Sequence, residues 1–156
     1  MKKKISLILA IMIFSALSVA TISEAQTMKH EGVRKSDSIK IRLRVNDKII
    51  TAAMIDNKTS RDFISLLPLT LAIKDLFGRE KYGHLPKALS SEGARAYRYE
   101  VGEIAYWSPG PDVAIYYRQD GERIPAPGII VIGKIDSGLE SLNVAGSVKM
   151  TIELIK

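Results

Sequence analysis

The chain contains no cysteine, only two histidines and a single tryptophan. Without cysteine there are no disulfides, no thiolate metal sites and no lipid attached through an N-terminal thioether. The two histidines, His30 and His84, stand alone, with no Asp-x-x-His or His-x-His spacing, so the sequence builds no metal centre and implies no cofactor. Serine is plentiful, yet none lies in a Gly-x-Ser-x-Gly elbow, and no nucleophile, base and acid set has a sequence signature. Basic residues are interspersed with acids rather than gathered in a run or beside an aromatic platform, which excludes a nucleic-acid footprint.

Long apolar runs are also missing, with one exception. Ile5 to Ile22 carries no charge, follows Lys2-Lys3-Lys4 and leads to Ser23-Glu24-Ala25. A basic head, an apolar centre and a small-x-small exit form the pattern of a secretory signal peptide. Cleavage is expected after Ala25, with Ser18-Val19-Ala20 as a second acceptable exit. The alternative is a retained anchor, because the run is near the lower length limit for a spanning helix. Ser15, Ser18 and Thr21 dilute its apolar character and favour removal. The expected organisation is a leader over 1–25, a polar, patternless tether over 26–37 and one domain over 38–156. Loss of Lys2, Lys3, Lys4 and Glu24 takes the formal charge from +6 to +4. The expected location is secreted or periplasmic, with no membrane association once the leader is gone.

What the domain does have is alternation. Ile39, Ile41, Leu43 and Val45 alternate with Lys40, Arg42 and Arg44, giving a strand with an apolar inner face and a cationic outer one. Asn46-Asp47 supplies a tight turn, and 48–55 returns as a second strand. Ser60 is a candidate helix cap with Asp62 in the first turn, and Phe63, Leu66 and Leu67 fall on one side before Pro68 ends the helix. Residues 69–76 alternate again. After Phe77-Gly78 the stretch through Glu92 reads as a long irregular loop. Strands are expected at 97–101, from 104 to Trp107, over 113–118, along the buried run 129–135 and over 148–155, with a second short helix over 137–144. Strands set off by turn signals, with two short helices, predict a mainly β domain, either an antiparallel barrel or a sandwich.

Two stretches narrow the choice. Asn57-Lys58-Thr59-Ser60-Arg61-Asp62-Phe63 followed by Ile64-Ser65-Leu66, and Ile130-Val131-Ile132-Gly133-Lys134-Ile135, resemble the first helix start and the Gly-Lys strand of the cyclophilins. A wider ordered series is similar to the small bacterial cyclophilin-like proteins. It runs through Leu66-Leu67-Pro68-Leu69-Thr70-Leu71, Glu80-Lys81, Gly102 to Trp107, Ala114 to Tyr117 and Gly128 to Leu142. This resemblance implies a closed antiparallel cyclophilin-like β-barrel with two short helices. The cyclophilins rotate the bond preceding proline with an arginine on the strand after the first helix and a histidine ahead of the Gly-Lys strand. Here residues 69–76 contain no arginine, and Ile129 falls at the histidine's place.

The resemblance therefore implies the scaffold without the standard catalytic side chains. The expected role is binding of a small molecule or an extended peptide in a groove lined by Phe77, Arg79, Glu80, His84, Trp107, Tyr117 and Arg118. Arg79 or Lys81 would hold an anionic or carbonyl group, with Glu80 orienting it. The blander reading of that cluster is a solvated set of charges contributing little. Tyr106, Trp107, Tyr116 and Tyr117 alternate on adjoining strands, so one of each pair should face inward and one outward. Two other readings remain: a prolyl isomerase or folding helper with a rearranged site, for which Arg79 and Arg118 are the arginines to inspect, and a module that docks its partner on Lys40, Arg42 and Arg44.

Overall fold

A computed structural model describes residues 38–156, so the leader and tether lie outside the described residues. Eight strands follow in chain order: β1 (Lys40–Val45), β2 (Lys48–Met54), β3 (Leu69–Leu76), β4 (Glu80–His84), β5 (Glu103–Trp107), β6 (Asp112–Tyr116), β7 (Ile130–Ser137) and β8 (Val148–Leu154). They close into an antiparallel barrel in the order β1-β2-β7-β5-β6-β4-β3-β8. Closure leaves no strand edge unpaired, which removes the usual site for adding a peptide strand.

The period-2 pattern explains the interior. Ile41, Leu43 and Val45 of β1, Ile50 and Ala52 of β2, Leu71 and Ile73 of β3, and Met150 and Ile152 of β8 all point inward and are buried. Lys40 and Arg42 point outward, where Lys40 meets Asp136 at 2.6 Å and Arg42 meets Glu153 at 3.2 Å. The cationic stripe expected on β1 is thus largely neutralised by its neighbouring strands.

Among the described residues one helix, α1 (Lys58–Ile64), covers one end of the barrel, and Phe63 inserts from it into the core. Its cap is Asn57 rather than Ser60: the Asn57 side chain accepts from the Ser60 amide at 2.8 Å and donates to the Val131 carbonyl at 2.9 Å. Ser60 sits inside the helix, buried, donating to the Ile132 carbonyl at 3.1 Å. Asn57 prevails because one side chain both satisfies the helix start and ties it to β7. At the other end stands a single 3-10 turn, Leu139–Leu142, in place of the second helix expected over 137–144. There β7 runs on to Ser137 and uses up the start of that segment.

Two further expectations change. The 77–92 stretch is not wholly irregular, because it contains β4, paired with β3 on one side and β6 on the other. Residues 97–101 form no strand. Of these residues Tyr99 is the buried one, and the segment is held by a bridge between Ala96 and Ile129.

Candidate functional site

Strand β4 carries polar groups to both faces of the barrel wall. Inward, Lys81 is 1% exposed. Its ammonium lies 2.9 Å from the Asp75 carboxylate, donates to the Val144 carbonyl and stands 5.7 Å over the Tyr117 ring. Tyr117 in turn donates to Asp75 at 2.6 Å. That bond, with help from Lys81, holds the Asp75 carboxyl below its ordinary value. Burial, reinforced by Asp75, raises the Tyr117 hydroxyl to about 12. This cluster closes the barrel interior beside the 3-10 turn, where Lys81 reaches the Val144 carbonyl.

Outward, the same strand presents Glu80 and Tyr82, and the outer face of β4, β5 and β6 is roofed by the segments on either side of β5 and β6. Tyr99, Ala105, Ala114, Tyr116, Ile124 and Ile129 form a second apolar cluster outside the barrel. The Tyr99 and Tyr116 rings stack at 4.0 Å with 16° between planes. Tyr99 fastens the roof by donating its hydroxyl to Asp120 at 2.9 Å, and the Ile124 amide donates to the Tyr97 carbonyl at 3.0 Å.

Beside this cluster lies a cleft of about 310 Å³. Its walls are apolar and aromatic, from Phe77, Tyr82, Trp107, Tyr116 and Ile129, and its lining acids and bases of the Asp, Glu, Lys and Arg kind are Arg79, Glu80 and Asp112. Glu80 is 5% exposed. Burial pushes its carboxyl above the ordinary glutamate value, and the neighbouring Tyr116 hydroxyl and Arg79 offset this in part. The Arg79 guanidinium donates from Nε to Glu80 at 3.2 Å and from Nη1 to Asp120 at 3.0 Å, between the rings of Phe77 at 5.2 Å and Tyr99 at 5.6 Å. Burial opposes ionisation of Asp120, but the Glu122 amide, the Tyr99 hydroxyl and Arg79 together hold its carboxyl low. Arg79 is therefore built into the wall, its charge shared by two carboxylates.

Phe77 forms the rim. It follows β3 in a turn closed by the Arg79 amide donating to the Leu76 carbonyl, and both central residues have positive φ, 55° at Phe77 and 64° at Gly78. Left-handed backbone suits Gly and Asn and costs a bulky L-residue roughly 1–2 kcal/mol. Phe77 nevertheless stands there with its residue surface 76% exposed. What the fold gains from that ring is its contact over Arg79, about 0.5–1 kcal/mol for an exposed pair.

Four of the seven expected groove residues line the cleft: Phe77, Arg79, Glu80 and Trp107. The other three do not. His84 is at the exposed end of β4, 3.1 Å from Asp112. Tyr117 packs toward the barrel interior, and the Arg118 guanidinium lies 5.8 Å over the Tyr117 ring. Lys81, paired with Arg79 in the sequence reading, faces the opposite side of the wall. The aromatic pairs split as alternation requires, Tyr106 and Tyr117 toward the interior, Trp107 and Tyr116 toward the outer cluster. Sequence reasoning missed Asp112 and Asp120 and gave Tyr82, which it placed in the stretch beside the groove, no role of its own; the i, i+2 relation of Tyr82 to Glu80 would have supplied one had β4 been read as a strand. Among the described residues, no group of histidines and carboxylates could hold a metal ion.

A second concavity, of about 470 Å³, lies near the start of β1 between Ile39, Met54, Ile55 and Ile64. It has no aromatic lining, and its two ions, Arg61 and Asp56, pair with each other.

A family model described as the cyclophilin-like family matches residues 43–153. Among solved structures, the chain is similar to the solution structure of the hypothetical protein AF2241 from Archaeoglobus fulgidus, at 21% identity and a TM-score of 0.64. That likeness covers 76% of this chain and 95% of the other, and at this identity it is one of fold. No curated protein matches the chain.

Proposed function

The chain belongs to the cyclophilin-like family, and from that premise we propose that it is an exported barrel that binds a small molecule, or one side chain of an extended peptide, in the outer cleft without isomerising proline bonds. The observation that carries this reading is Phe77. An exposed aromatic ring kept at a left-handed position costs the fold more than its one contact over Arg79 returns, and it stands on the rim of an aromatic cleft. The cleft volume falls at the low end for small-molecule sites.

Absence of isomerase turnover is supported by the state of Arg79. Proline rotation calls for a guanidinium free to donate toward the prolyl nitrogen, whereas Arg79 is bonded on two edges and covered by two rings. Ile129, at the place the resemblance gives to a histidine, offers the cleft only aliphatic surface. The export part of the proposal rests on the leader pattern of residues 1–25.

Two assays test this. Amide chemical-shift mapping with small aromatic probes should give saturable shifts confined to 76–82, 107–116 and 124–129, and shifts scattered over the barrel would contradict binding here. A proline-peptide isomerisation assay should show no acceleration. Acceleration abolished by Arg79→Ala would establish the rearranged isomerase instead.

A further inference from the structure

The charges around the cleft do not balance, and the imbalance bears on what can occupy it. Among the lining residues Arg79 is the one cation, against the carboxylates of Glu80 and Asp112. A third carboxylate, Asp120, stands directly behind Arg79 and takes its Nη1 donor. Arg79 thus bonds one lining carboxylate, Glu80, and one behind it, Asp120, while Asp112 has His84 as its neighbour. His84, 3.1 Å from Asp112, is a largely exposed imidazole at the outer end of β4 and does not line the cleft. Arg118 stands over Tyr117 with its Nη1 beside Gly78 of the rim turn, outside the lining, so that the lining side chains and Asp120 together still carry more carboxylates than cations. The cleft is locally negative in a chain whose formal charge is +6.

Low-dielectric walls focus such a field. The faces of Phe77, Tyr82 and Trp107 add their own negative quadrupoles. An anion could reach Arg79 only by approaching Glu80 and Asp120, which already divide its charge, so the arginine that suggests an anion site from sequence works against one in the structure. Glu80 and Asp112 sit at the two ends of the β4–β6 pairing, opposite Tyr116 and His84 respectively. At about 3.3 Å per residue they lie roughly 13 Å apart along the strands, with apolar wall between.

Resting on the binding reading above, we propose that the cleft takes an organic cation: a primary ammonium or guanidinium carried on a ring or chain that fills the apolar wall. The group arrives either as a free amine or as the basic side chain of an extended peptide; the recognition chemistry is the same.

Titration of the full chain with benzylamine, benzyl alcohol and benzoate, three probes of nearly one shape and different charge, tests the proposal through the chemical shifts of the cleft. Benzylamine should bind about tenfold tighter than benzyl alcohol, and benzoate most weakly. Glu80→Gln should weaken benzylamine severalfold and leave benzyl alcohol unchanged. Because Glu80 also supports Arg79, Asp112→Asn at the shallower end is the second variant, with the same expected pattern. N-acetyl-lysine methylamide separates the sources. Binding equal to benzylamine assigns a basic side chain, and failure beside bound benzylamine assigns a free amine. Benzyl alcohol or benzoate binding as tightly as benzylamine overturns the cation and leaves the cleft a binding site. No saturable binding of any probe overturns both.

Discussion

Two hairpins of the same barrel follow opposite rules. The β1–β2 hairpin obeys turn chemistry: its positive-φ position is Asn46, φ 51°, and two of its outward charges, Lys40 and Arg42, pair on the surface with neighbouring strands. The β3–β4 hairpin puts Phe77 at the equivalent kind of position, φ 55°, and follows it with three consecutive charged residues that are all buried, Arg79, Glu80 and Lys81. A fold selected for stability alone would have two hairpins of the first sort. The second departs from that pattern on the face where the barrel has a cleft.

Removing the acid partner of a cation in each hairpin should separate them most. Asp75→Ala leaves Lys81 charged and sealed inside the barrel, and unfolding in urea should show a loss of about 3 kcal/mol. Asp136→Ala removes the partner of the exposed Lys40, and stability should move by less than about 0.5 kcal/mol. Equal losses would erase the distinction between the hairpins.

Exchanging the turn residues is the next largest effect. Phe77→Asn should raise stability by about 1 kcal/mol, and Asn46→Phe should lower it by about the same amount. A loss on Phe77→Asn would mean that the ring serves the fold after all.

A smaller effect appears in alkali. Burial and Asp75 raise the Tyr117 hydroxyl to about 12, whereas an unfolded tyrosine ionises near pH 10. Between those values the folded chain holds the extra proton, so stability falls as pH rises from about 10 towards about 12. Tyr117→Phe should flatten part of that slope in urea midpoints measured across the range, and an unchanged slope would remove Tyr117 as its cause.

The contrast also governs what the sequence disclosed. The clean alternation of Ile41, Leu43 and Val45 with basic neighbours announced β1, and 69–76 matched β3 to the residue. Strand β4 was hidden because a period-2 reading looks for apolar side chains, and Glu80 and Lys81 are buried by pairing instead. The converse error came at 97–101, where alternation was present but only Tyr99 had a surface to cover. Arg79, Glu80, Phe77 and Trp107 could be gathered in one cleft because the resemblance supplied a barrel wall to place them on. The opposite facing of Lys81 and the contribution of Asp112 and Asp120 depended on the pairing of β4 with β6, a long-range fact that local pattern does not carry.

Trp107 is the chain's single tryptophan and it lines the cleft, so its fluorescence reports directly on occupancy. Titration with benzylamine should change the emission of the wild-type chain saturably, and Phe77→Asn, folded and more stable, should lose that response. A saturable response retained in full by Phe77→Asn, or none in the wild type, would contradict the claim that this rim residue is kept for a ligand rather than for the barrel.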